Sequence, residues 1–194
     1  MTVAFVLGNG VSRQQVDLSE LKKHGTIYGC NALYRDFTPD VLISTDTPIS
    51  EAIQNSGYAL SNTMYTRKPI AGSGAKLIPQ NYFGYSSGPI ALALATERDY
   101  PVIYIIGFDM GPAANGRFNN IYADTEFYKK SSSTPTYTGN WARQMASVMT
   151  ENRRKNYIRV CGPTTATVQE FKKIPNLLNM PMSEFLERIK NNQL

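Results

Sequence analysis

The sequence predicts an α/β domain built on a mostly parallel sheet with helices on both faces, and three observations carry that prediction. Short apolar runs rich in β-branched residues, such as Val3-Ala4-Phe5-Val6-Leu7 and Val102-Ile103-Tyr104-Ile105-Ile106, read as strands buried on both faces. Segments with helical spacing of apolar residues alternate with these runs, the pattern of strand–helix–strand units. Finally, the strands end on polar residues: Asn9, Asn31, Asp46 and Asp109. Open α/β sheets bind ligands outside the carboxyl ends of their strands. Asp and Asn are also ordinary turn formers, but four such ends in series point to a site. The expected architecture is therefore a Rossmann-like single domain over residues 1–194.

Taken in order, Val3–Leu7 is the first strand, and it stops at Gly8-Asn9-Gly10. Glycines there permit positive φ and close backbone approach, Asn9 tolerates the left-handed region, and Ser12 is placed to cap a following helix. The dinucleotide pattern G-x-G-x-x-G is not met, because Arg13 stands where the third glycine belongs. The stretch reads equally as a plain strand-to-helix turn or as a phosphate loop. A short helix or turn follows over 13–23, then a second strand over 26–31 and a short helical piece over 32–37. The third strand spans 40–46, a helix 48–56, with Pro48 at a favoured first position, and a weaker strand 63–66. Residues 68–85 read as loop with an edge strand near 76–78. Ser86-Ser87-Gly88-Pro89 opens a buried helix through Thr96, with Ser87 as its cap. The clearest central strand, 101–106, ends in Gly107-Phe108-Asp109. Residues 110–138 lack strong elements, and so long an irregular stretch points to a functional loop. An amphipathic helix over 140–152 has Trp141, Met145 and Val148 as its apolar stripe. A last strand over 157–163 is followed by helices over 168–173 and 183–191, the second capped by Ser183.

Composition narrows the function classes. Twenty Lys and Arg against fifteen Asp and Glu give a net charge of +5. No aromatic-basic module accompanies Arg153-Arg154-Lys155 or Lys172-Lys173, so these read as solvated helix ends rather than a nucleic-acid interface. No segment approaches the length of a membrane helix, and the chain runs into its first strand without a basic leader. The two cysteines, Cys30 and Cys161, fall in strands and read as buried thiols, which predicts a cytoplasmic protein. His24, the only histidine, precedes the second strand and reads as a surface residue, so neither a Ser-His-Asp set nor a Cys/His metal cluster can be assembled.

Seven short motifs in order, Gly8-Asn9-Gly10-Val11-Ser12, Gly29-Cys30-Asn31, Ser86-Ser87-Gly88, Ile103-Tyr104-Ile105-Ile106-Gly107-Phe108-Asp109, Tyr122-Ala123-Asp124, Tyr137-Thr138-Gly139-Asn140 and Val160-Cys161-Gly162-Pro163, cover nearly the whole chain. With them the chain resembles the family 42 bacterial sialyltransferases and their relatives, which include the motility accessory factor and 6-hydroxymethylpterin pyrophosphokinase-like proteins. The resemblance implies a CMP-sugar site. Gly8, Asn9, Gly10, Ser12 and Asn31 would surround ribose and phosphate, and Ser87 would meet the donor sugar or its phosphate. Gly107 and Asp109 would lie against the nucleotide, Asp46 near the substrate, and Tyr122 would donate its hydroxyl to the leaving phosphate. Such sialyltransferases need no metal, whereas the pyrophosphokinase-like branch implies Mg²⁺ on Asp46 and Asp109.

Two departures qualify the resemblance. The segment between Asp46 and Ser87 is much shorter than in the sialyltransferases. Asn140 also occupies the position of the family's catalytic histidine, and an amide accepts no proton near neutral pH. The expected activity is therefore glycosyl transfer from a nucleotide-sugar donor to an unknown acceptor, with Tyr122, Asn140 and Asp109 as the catalytic set. Mg-dependent phosphoryl transfer and a catalytically silent nucleotide-binding protein are the alternatives. The sequence leaves room for a homo-oligomer.

Overall fold

A computed structural model describes residues 2–194. Its centre is one eight-stranded, wholly parallel sheet. The strands are β1 Val3–Leu7, β2 Gly25–Cys30, β3 Val41–Ile43, β4 Met64–Thr66, β5 Lys76–Leu77, β6 Ile103–Ile106, β7 Tyr157–Cys161 and β8 Leu177–Pro181. Their order across the sheet is β5-β4-β3-β2-β1-β6-β7-β8. The helices are α1 Leu18–Leu21, α2 Thr47–Asn55, α3 Tyr58–Ser61, α4 Ser87–Thr96, α5 Gly139–Glu151 and α6 Met182–Lys190. The expected α/β class with helices on both faces is what the chain forms. No helix among the described residues is long and apolar enough to cross a membrane.

Alternation along β1 and β6 distributes the core. Ala4, Val6, Ile103 and Ile105 face α4 and α5, while Val3, Phe5, Leu7, Tyr104 and Ile106 face Phe185 and Ile189 of α6. Every residue from Pro89 to Thr96 of α4 is buried, because this helix is wedged between the sheet and α5, and it is apolar all round for that reason. A third cluster joins Leu42 and Met64 to Ile49 and Ile53 of α2, with Ala32 and Tyr122.

Several local expectations differ from the fold. The short helix or turn expected over 13–23 forms, as a 3₁₀ turn over Val11–Gln15 and then α1, but the capping residue is Asp17, accepting from the Ser19 and Glu20 amides, rather than Ser12. Residues 169–171 make a single 3₁₀ turn instead of a helix, and β8 was not expected at all. Asn179 and Pro181 break the apolar pattern of β8, and only Leu177 and Met180 are buried, as suits an edge strand. The N-cap of α6 is Pro181, so Ser183 lies inside the helix and does not cap it. Trp141 is not part of the buried stripe of α5, which is Ala142, Met145, Val148 and Met149. His24 is not a free surface residue either: its side chain is only 11% exposed, and its Nε2 lies 3.8 Å from Glu20.

Candidate functional site

The strand order reverses between β1 and β6, and a doubly wound sheet opens a crevice at that point. A cleft of about 410 Å³ lies there, over the carboxyl ends of the strands. Gly8, Asn9 and Gly10 line it from β1, and Gly107 and Asp109 from β6. Asn31, Asp46 and Ser87 complete the set of sequence-derived residues in its wall.

The turn after β1 is built for close packing, not for left-handed backbone. Neither Gly8 nor Gly10 uses the positive φ that glycine permits; both serve the close backbone approach that the sequence also allowed. Gly10 donates its N–H to the Gly107 carbonyl at 2.9 Å, and a Cβ there would stand 2.6 Å from the Asp109 carboxyl carbon. Gly107 does need its freedom, with φ at 75°. Arg13, in place of a third glycine, folds back beneath the turn. Its Nε donates to the Gly8 carbonyl at 2.9 Å, and its terminal nitrogen reaches Asn9 Oδ1 at 3.3 Å and the Tyr122 hydroxyl at 3.4 Å. Asn9 Nδ2 in turn donates to the Cys30 carbonyl at 3.1 Å, tying the end of β1 to that of β2.

Asp109 anchors the other strand end. Its carboxylate, 3% exposed, accepts from the Ser12 amide at 3.1 Å, Asn119 Nδ2 at 3.1 Å, Thr164 at 2.8 Å, Thr165 at 3.3 Å and the Ser12 hydroxyl. Five donors satisfy a buried charge without an ion pair. Ser12 therefore caps no helix and does not line the cleft; its amide serves a carboxylate of its own chain. Arg159 braces the same loops from below, donating to the Phe108 and Ala166 carbonyls at 2.8 Å each.

On the opposite wall Asn31 has φ at 53°, a conformation that Asn tolerates better than other non-glycine residues. Its Oδ1 accepts from the Ser44 hydroxyl at 3.1 Å and the Ser87 hydroxyl at 3.2 Å. That fixes the amide and leaves its NH₂ group for the cleft. The Ser87 hydroxyl also accepts from the Thr45 amide at 3.0 Å, so Ser87, 4% exposed, holds the wall together.

Three helices begin at the cleft. Asp46 is the N-cap residue of α2, Ser86 that of α4 and Thr138 that of α5, and all three line the cleft. None makes a side-chain capping hydrogen bond, and Ser87 is the first helical residue of α4 rather than its cap. Uncapped N–H groups and the positive ends of three helix dipoles favour an anion at this edge.

Two residues of the expected catalytic set lie outside this lining. Tyr122 is 4% exposed behind the wall, its ring 5.8 Å from that of Tyr128, and burial pushes its hydroxyl up to about 12. Asn140 points its Oδ1 at Arg143 on the exposed side of α5. Residues that the sequence reading passed over stand in the cleft instead: Phe108, Phe118, Phe127, Tyr128, Lys129 and Trp141. All but Phe108 and Trp141 come from the irregular 110–138 stretch. The only signal for them was that stretch's length and aromatic content. Cys30 also lines the cleft, but burial raises its thiol to about 12, which disfavours the thiolate that a nucleophile needs. His24 precedes β2, at the amino end of the sheet.

Comparison of the chain with protein-family models, with curated proteins and with solved structures gives no match in any of the three.

Proposed function

We propose that this chain binds a nucleotide-activated sugar, a CMP-sugar by preference, across the carboxyl ends of β1, β2 and β6. The observation that carries this reading is the convergence of three uncapped helix N-termini on one cleft. An anion of phosphate type is the ligand such an edge stabilises. The amide NH₂ of Asn31 supplies a neutral donor to ribose or phosphate, and the exposed Asp46 carboxylate accepts from sugar hydroxyls. The resemblance to sialyltransferases supplies the cytidine preference.

Binding is better supported than transfer. With Tyr122 and Asn140 outside the cleft and Asp109 saturated by five donors, the expected catalytic set is not assembled around one ligand position. The Mg-dependent alternative is weaker still. It requires Asp109 as a ligand, and that carboxylate already serves Ser12, Asn119, Thr164 and Thr165.

A thermal-shift panel of CMP, UMP, AMP, GMP and ATP, each with and without Mg²⁺, tests the reading. CMP at ~100 times its dissociation constant stabilises by about 2.7 kcal/mol, or several degrees for a chain of this size. A response confined to ATP with Mg²⁺ favours the phosphoryl-transfer alternative, and no response to cytidine nucleotides overturns the proposal.

A further inference from the structure

Two aromatic side chains of the cleft are left open to solvent. Trp141 is 36% exposed and Phe127 is 43% exposed, and both line the cleft. Each departs from what packing alone produces. Trp141 occupies the first turn of α5 on an otherwise amphipathic helix, yet it stays out of the buried stripe. Phe127 has φ at 71°, an outlier for a bulky residue. Among the described residues five non-glycine residues have positive φ, of which Asn31, Met110 and Phe127 line the cleft, and backbone strain gathers where geometry serves a ligand.

The position of Trp141 relative to the anion-favouring edge is fixed. Gln144, one helical turn further along α5, accepts the Ser86 amide at 2.9 Å, and Ser86 opens α4. Trp141 lies one turn before Gln144 on α5 and lines the same cleft as Ser86, so one ligand can meet both the N-terminus of α4 and the indole.

We infer that Trp141 and Phe127 form a stacking platform for the planar base of the ligand, so that the cleft selects nucleotides over sugar phosphates. The inference rests on the nucleotide reading above and adds the group that recognises the base. Every base offers a π-face to such a platform, and a ribose offers none.

Trp141 is the only tryptophan beside twelve tyrosines, so fluorescence excited at the red edge, where tyrosine does not absorb, reports on this one position. CMP and ribose 5-phosphate, which is CMP without its base, are titrated by calorimetry and by fluorescence into wild type, Trp141→Leu and Phe127→Leu, with melting curves to show that the variants are folded. CMP quenches wild-type fluorescence and ribose 5-phosphate does not. Each Leu variant loses roughly tenfold or more in CMP affinity and keeps its affinity for ribose 5-phosphate. CMP binding with unchanged fluorescence and unchanged affinity in both variants overturns the platform alone. Equal quenching by ribose 5-phosphate overturns the assignment to the base. Absence of any calorimetric heat with nucleotides removes the nucleotide reading and the platform with it. Should either variant fail to fold, the wild-type quenching comparison still decides.

Discussion

The hydroxyl and the backbone amide of Ser12 both donate to the carboxylate of Asp109, 97 residues further along the chain. This pair closes β1 onto β6 at the point where the sheet changes direction. A buried anion held by five donors is structural before it is anything else, and removing its charge leaves those donors with a weaker acceptor. Asp109→Asn is therefore expected to destabilise the fold by about 3 kcal/mol or more, read from the urea midpoint at neutral pH. Ser12→Ala is expected to cost roughly 1.5–3 kcal/mol. An Asp109→Asn protein as stable as wild type, with ligand binding lost, would instead assign Asp109 directly to the ligand.

Asn31 separates backbone from side chain. Its left-handed conformation costs Ala roughly 1–2 kcal/mol but costs Gly little, while both substitutions remove the amide. Asn31→Ala is expected to lose stability and nucleotide affinity together. Asn31→Gly is expected to keep most of the stability and still lose about 1–3 kcal/mol of binding. Calorimetry beside thermal melting checks both, and unaltered affinity in Asn31→Gly would make the residue purely a turn element.

Tyr122 and Asn140 are expected to matter little to the ligand. Tyr122→Phe removes a hydroxyl that Arg13 reaches at 3.4 Å behind the wall, so CMP affinity should stay within about twofold and stability should fall by roughly 1 kcal/mol. Asn140→His places an imidazole beside Arg143, outside the cleft lining, and should not raise release of CMP from a CMP-sugar. A clear gain in release would mean that the 137–140 turn moves toward the cleft when donor binds.

Stability should fall on the alkaline side. Burial raises the Cys30 thiol from 9.0 to about 12 and raises the Tyr58 and Tyr122 hydroxyls from 10.0 to about 12. In the unfolded chain these groups release protons first, so the native state holds more protons between about pH 9 and 12, and stability drops as pH rises through that window. Below pH 9 both states hold the same protons and this contribution is fully present. Urea midpoints measured from pH 7 to pH 11 should be level at first and then decline, with a shallower decline in Cys30→Ala. A midpoint that rises above pH 9 would contradict the burial of these groups.

Much of the scaffold was legible because β1 and β6 obey a simple rule: a strand buried on both faces is apolar throughout, and its end is marked by Gly8 or Gly107. The wall residues were legible for a related reason, since strand ends in a parallel sheet face one edge. What stayed hidden depends on partners distant in sequence. Nothing local tells that Asp109 is saturated by Ser12, Asn119, Thr164 and Thr165, nor that Arg13 turns back under Gly8. Trp141 has the spacing of a core residue, yet the buried stripe of α5 runs through Ala142, Met145, Val148 and Met149, and Trp141 lines the cleft. In β8, Asn179 and Pro181 obscure an edge strand that needs only two buried side chains.

The strand order also bears on how the chain assembles during synthesis. Strands β1 to β5 extend one wing in the order in which they are made, each new strand joining the outer rim beside the last. β6 instead pairs with the other flank of β1, so the connection from β5 must return across the sheet. Until it docks, Val3–Leu7 presents an open edge with no proline and no charge to deter another strand, the kind of flank that captures neighbouring chains. The cleft is incomplete without β6, because Gly107 and Asp109 of its wall arrive with that strand. A ligand for this site thus recognises only chains in which the two wings have met, and its binding stabilises that joined state.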